Sequence, residues 1–209
     1  MPVPIVYTQS PPVLVNFDFA DVLADVGYIT LTAMIDEAGN ERIIRQTLDG
    51  VTLRTVVTGN SGETVEKNFD FEFNISQLVK GDLFVSITIF ADGSGSNTGI
   101  NNTTVEIFHV DSASNETSIG TQQSIAELTN PISTAQDEYR STLTFAVNKR
   151  FKKGDKIRIE VISTVTGGNP NGKAGFYHDP ADRDTGLVDQ GGFTAKSNLL
   201  MQVPFDLDI

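Results

Sequence analysis

Along most of the chain, apolar side chains recur at every second position. Phe69, Phe71, Phe73 and Ile75 alternate with polar neighbours. The same period returns at Val85, Ile87 and Ile89, at Val105 and Ile107, at Leu143, Phe145 and Val147, and at Ile157, Ile159 and Val161. Successive side chains of a strand point to opposite faces. This period therefore predicts strands with one face in a core and one in water. Nearer the start, Tyr28, Thr30 and Thr32 alternate with Ile29, Leu31 and Ala33. Ile43 and Ile44 form a short apolar run, and Leu48 to Val57 carries Val51, Leu53, Val56 and Val57. Gly39–Asn40, the GNSG of 59–62 and the Gly/Ser/Asn/Thr stretch 92–103 punctuate these runs as turns and loops. The closing NLLMQVPFDLDI reads as a last strand. Pro204 within it has no N–H to donate, which predicts an edge or a bulge there.

One segment has a helical period. In FDFADVLADV, residues 17–26, Phe19, Val22, Leu23 and Val26 fall on one face, Asp18 can cap the start and Gly27 can end it. Ahead of it, Pro2, Pro4, Pro11 and Pro12 keep residues 1–16 extended, although Val3, Ile5, Val6, Tyr7, Val13 and Leu14 make the segment apolar. Such an arm packs on its own domain or on a neighbouring subunit. Residues 121–140 carry no clear period, and Gly167 to Gly192 reads as a long polar loop. FEFNISQLVKGDLFVSITIF and TFAVNKRFKKGDKIRIEVIS both read as hairpins turning on Lys-Gly-Asp. About nine or ten strands and one helix predict an all-β fold: an antiparallel two-sheet sandwich, jelly-roll-like, with an extended N-terminal arm. The predicted division is arm and helix at 1–27 and sandwich at 28–209.

Composition narrows the function. The 209 residues are 39% hydrophobic, enough for one β domain, and 13 Phe with no Trp make Phe the main aromatic of the core. A net charge of -12 disfavours nucleic acid and anionic membranes as partners. The lack of cysteine excludes disulfides, thiolate metal sites and thiol nucleophiles. It fits assembly in a reducing cytoplasm. MPVPIVYTQSPPVLV lacks the basic start of a signal peptide, and no apolar run reaches a membrane span.

Candidate chemistry is sparse. There are two histidines. His109 lies in an alternating strand, where a structural or solvent-facing role is expected. His178 lies in FYHDPADRD, where a neighbouring Asp could make it a base. No Gly-x-Ser-x-Gly elbow or other nucleophile motif accompanies either, so no catalytic residue and no cofactor are assigned. Asp179, Asp182 and Asp184 offer hard oxygen ligands for calcium without the spacing of an EF-hand. Residues 149–158, KRFKKGDKIR, hold six of the fifteen basic residues. They either guard a sheet edge or meet an acidic surface on a partner or a second subunit. Asn74, Asn101, Asn102 and Asn115 begin glycosylation-type triplets, which this Asn/Thr-rich chain produces by chance.

The run FKKGDKIRIEV resembles the hairpin of tumour-necrosis-factor/C1q-like and viral jelly rolls, through Phe151, Lys153, Gly154, Asp155, Ile157 and Ile159. The chain as a whole is similar in style to accessory virion proteins of tailed phages, of the capsid decoration, cement or head-fibre kind. That resemblance implies a structural protein that binds and stabilises the capsid shell. It would sit on the virion surface after assembly in the host cytoplasm. Its partner would be the major capsid protein or another virion protein, and it would form a homo-oligomer, a trimer among the forms. The expected contacts are Val3, Ile5, Val6, Tyr7, Val13 and Leu14 of the arm, Lys149, Arg150, Lys152 and Lys153 of the hairpin, and Tyr177 of the loop. The alternative is a receptor- or carbohydrate-binding fibre or tail module, which would need exposed aromatic platforms. Two distant histidines cannot supply the multi-histidine metal site of a cupin-type enzyme.

Overall fold

A computed structural model describes residues 26–35, 41–44, 56–92, 99–130, 136–166, 172–178 and 199–206. These form twelve strands and no helix. In chain order they are β1 (Val26–Ile35), β2 (Glu41–Ile44), β3 (Val56–Asn60), β4 (Thr64–Glu72), β5 (Gln77–Asp92), β6 (Gly99–Val110), β7 (Glu116–Ser124), β8 (Leu128–Asn130), β9 (Gln136–Phe151), β10 (Lys156–Thr166), β11 (Lys173–Tyr177) and β12 (Leu200–Asp206).

The strands build the predicted sandwich of two antiparallel sheets. In the first sheet β5 pairs with β9 along its whole length, from Gln77↔Phe151 to Asp92↔Gln136. The opposite edge of β5 is shared by β11 and β12. Beyond these lie β3, next to β11, and β1 and β2, next to β12. The second sheet runs β4–β10–β6, and the far edge of β6 is shared by β7 and β8. A single parallel bridge, Arg42↔Asp70, links β2 to β4 where the sheets meet.

The alternating residues face inward, as the period requires. Phe69, Leu83, Ile87, Ile107, Phe145, Phe151, Ile157 and Ile159 are all fully buried in one core. Burying each such side chain stabilises the fold by about 2 kcal/mol. A polar clamp crosses the core at one end. Asn101 of β6 donates to the Phe90 and Gly175 carbonyls of the first sheet at 2.8 and 2.7 Å. Its own carbonyl accepts from Thr103 at 2.6 Å and from Ser163 at 2.9 Å. Every hydrogen-bonding position of this buried amide is thus filled. The sheets close in there: a Cβ on Gly99 would stand 2.6 Å from the Asp92 carbonyl.

Several expectations need correcting. β1 begins at Val26, so the helix expected over 17–26 does not include its last residue, and Gly27 is a strand residue. The rest of that helix and the arm, with Val3, Ile5, Val6, Tyr7, Val13 and Leu14, lie outside the described residues. The first Lys-Gly-Asp is not a turn: Lys80, Gly81 and Asp82 sit inside β5, which runs unbroken through them. Gly81 is at φ 126 and meets Pro204 of β12 at 3.4 Å from its virtual Cβ, so close approach and backbone conformation call for glycine there. The polar loop expected over 167–192 contains the buried strand β11. β12 is interior rather than an edge, although its ladder with β5 reaches only Leu200 to Gln202. Pro204 therefore falls beyond that ladder, where its missing N–H costs least.

Candidate functional site

The second Lys-Gly-Asp is a turn, and it carries the basic cluster. β9 leads in through Lys149 and Arg150, Lys152 to Asp155 make the turn, and β10 leads out from Lys156. Gly154 takes φ 88, a conformation that L side chains rarely adopt. Asp155 closes the turn from inside: its Oδ2 accepts the Lys152 N–H at 2.8 Å. The same oxygen lies 2.8 Å from His109 Nε2, whose N–H donates to it from the end of β6. The His109 hydrogen bond, and then the backbone one, hold the Asp155 carboxyl below its ordinary range.

The turn is also tied to the end of β4. Gly154 N–H donates to the Phe73 carbonyl at 2.8 Å, and Phe73 N–H donates to the Asp155 carbonyl at 2.9 Å. Phe151 stacks on Phe73 with ring centroids 4.4 Å apart, and the His109 ring meets Phe151 edge-on at 5.1 Å. Ser76 donates to the Phe151 carbonyl at 3.0 Å. Three neighbouring segments therefore fix the hairpin.

Its cations divide into two groups. Arg158 grips Asp70 with two hydrogen bonds, Nε at 2.6 Å and Nη2 at 2.8 Å, and also reaches Glu116. Lys156 stands 3.8 Å from Asp70. Lys149, Arg150, Lys152 and Lys153 have no ion-pair partner among the described residues, and the last three are exposed. The structure thus brings together four of the cations picked out from sequence, on a turn held from below. What sequence reasoning missed is the support. Nothing local to His109 shows that it braces Asp155, 46 residues away.

The other candidates are placed differently. Tyr177 is not a loop platform: it ends β11 at 3% exposure. Its ring packs on Phe90 with centroids 5.1 Å apart, and its hydroxyl donates to Glu138 at 2.6 Å. His178 is not in a polar setting. It is fully buried, its ring 5.2 Å from that of Phe69, with no hydrogen-bond partner at either nitrogen among the described residues. Burial, and secondarily the charge of Lys67, push its pKa down to about 4. Asp179, Asp182 and Asp184 lie outside the described residues. Among the described residues, no three His, Asp or Glu side chains converge as metal ligands. Asn101 is fully buried with its amide engaged, which is incompatible with a glycan at that triplet in the folded protein.

No known family and no characterised protein sequence matches the chain. Solved structures do match its fold. A CocE/NonD family hydrolase from Staphylococcus aureus aligns with 95% of this chain at 11% identity and a TM-score of 0.52. A second crystal structure of that hydrolase aligns with 86% at 10% identity and 0.50. An aminopeptidase from a marine sediment Thaumarchaeota archaeon aligns with 96% at 11% identity and 0.52. The chain spans only 37–38% of the length of these proteins. At such identities the likeness is one of fold: a β-sandwich that also occurs within larger chains.

Proposed function

We propose that this chain is a non-catalytic docking protein of the virion, a capsid decoration or cement protein that binds and stabilises the shell. The observation that carries this reading is the braced hairpin. On a molecule of net charge -12, Lys149, Arg150, Lys152 and Lys153 have no ion-pair partner among the described residues and cluster on a fixed hairpin. Opposed charges across an interface steer encounter and fix register, so the hairpin suits an acidic patch on a shell protein. Both histidines have structural surroundings, His109 under the turn and His178 in the core, which supports binding over catalysis. Binding to an assembled shell stabilises it by mass action.

The test is co-sedimentation of the purified chain with particles from the same source. Lys152→Glu/Lys153→Glu should weaken binding about tenfold, corresponding to about 1.4 kcal/mol, and raised salt should do the same to the wild type. Absence of the chain from purified particles would end this reading.

A second reading has one observation in its favour. The sandwich matches about three-eighths of larger hydrolases over nearly all of its own length. On that reading it is an accessory module of a longer enzyme. The mass of the natural polypeptide separates the two: near 22.6 kDa supports a stand-alone docking protein, and a mass two to three times larger supports the module. A carbohydrate-binding role is less well supported, since Tyr177 is covered and Tyr139, at 44% exposure, is the aromatic left open among the described residues.

A further inference from the structure

We propose that two copies of this chain pair through β9, edge to edge about a two-fold axis beside Thr144, to make one continuous sheet. This inference does not rest on the functional reading above, but it engages Lys149 and Arg150 in the dimer and leaves Lys152 and Lys153 for the shell. β9 is sixteen residues long, and among the described residues β5 is the only strand paired with it. Its register with β5 is regular throughout, without a bulge. Long exposed edges are normally blunted by charge, proline or a bulge. The central residues 141–148, STLTFAVN, contain no charge and no proline. Among the described residues β7 and β8 lie beside them, β7 packing Gly120 on Phe145, and on their outward edge the Gln123 side chain donates a hydrogen bond to the Thr144 carbonyl.

That contact also fixes which groups face outward. In an antiparallel strand the N–H and C=O of one residue point to the same side, and successive residues alternate. With the Thr144 carbonyl turned away from β5, the backbone groups of Glu138, Arg140, Thr142, Ala146, Asn148 and Arg150 turn outward too. A second β9 entering antiparallel, with the same outward set, places Thr144 opposite Thr144, Thr142 opposite Ala146 and Arg140 opposite Asn148. The ends then match in charge: Glu138 stands opposite Arg150 of the second copy. Tyr139, one of the two large hydrophobic residues exposed among those described, lies opposite the half-buried Lys149 of the second copy. The lysine stem and ammonium would cover the ring. The strand is acidic at one end and basic at the other, and a two-fold axis pairs each end with its complement.

The experiment is the mass of the full chain in solution, by light scattering and by sedimentation over a concentration series. The expected result is a dimer, twice 22.6 kDa. Thr144→Pro removes an outward N–H that the dimer uses and β5 does not, so it should give a monomer with an unchanged circular dichroism spectrum. Arg150→Glu leaves the ladder intact and should weaken dimerisation about tenfold at low salt. Gln123→Ala uncovers the Thr144 carbonyl and should tighten the dimer. A wild-type monomer at about 100 μM, well above an ordinary micromolar Kd, overturns the proposal. So does a trimer or larger assembly, or a dimer indifferent to both Thr144→Pro and Arg150→Glu.

Discussion

His178 shows how a residue's surroundings can reverse what its neighbours in sequence suggest. Beside Asp179 and near Asp182 it reads as a polar group and a possible base. In the fold it follows β11 into the core, against Phe69, with a pKa near 4 in place of 6.5. The sign of the pH effect follows. Below about pH 6.5 the unfolded chain takes up a proton at this site that the folded chain resists. Stability from this group is therefore complete above 6.5 and is lost as pH falls towards 4. Urea unfolding at pH 7 and pH 4.5 should show wild type losing about 2 kcal/mol more than His178→Leu over that interval. Equal losses would mean that His178 is not buried neutral. The sequence could not reveal this, because the burial comes from β4 and β11, brought together across more than a hundred residues. Tyr177 failed for the same reason: its polar tip has Glu138 as partner, and nothing within FYHDP points to β9.

At the level of elements, alternation of residue type was what could be read: β5 is covered on both faces over 85–91, yet Ser86 and Thr88 separate Val85, Ile87 and Ile89 and give it a period. β10 alternates buried and half-buried residues without a break, and its period was readable from Ile157, Ile159 and Val161. β11 is buried from Ala174 to Tyr177, and KAGFY has no period to show. The two Lys-Gly-Asp runs mark a further limit. Asp82 and Asp155 follow the same dipeptide, yet Asp82 is exposed in mid-strand while Asp155 is sealed under a turn. What separates them is long-range: β9 pairs straight through Gly81, whereas His109 and Phe73 receive the other turn. The hairpin should accordingly depend on Asp155. Asp155→Ala removes the bonds from Lys152 and His109, and should cost about 2–3 kcal/mol in urea unfolding. Amide hydrogen exchange at Lys152 to Gly154 should speed up well before that of β10. Unchanged protection would show that the Phe73 backbone bonds alone hold the turn.

For the molecule as a whole, the sandwich class was readable from period and composition, but strand order was not, since pattern alone leaves topology open. At the β5–β6 end the two sheets are joined by a polar clamp beside a small apolar cluster of Ala91, Val165 and Ala174. Asn101→Ala would leave the Phe90 and Gly175 carbonyls and the hydroxyls of Thr103 and Ser163 short of a partner in a buried region. It should lower unfolding free energy by about 3 kcal/mol. A loss below about 1 kcal/mol would mean that water takes the place of the amide. The outermost pairing of β1 with β12 has a different consequence. Val26, where the first described strand begins, is the direct partner of Asp206, where the last one ends. The start of the first described strand and the end of the last therefore lie side by side. A fold with that arrangement can be spliced into a surface loop of another protein without parting the host's chain ends, or re-cut and rejoined so that a different loop opens.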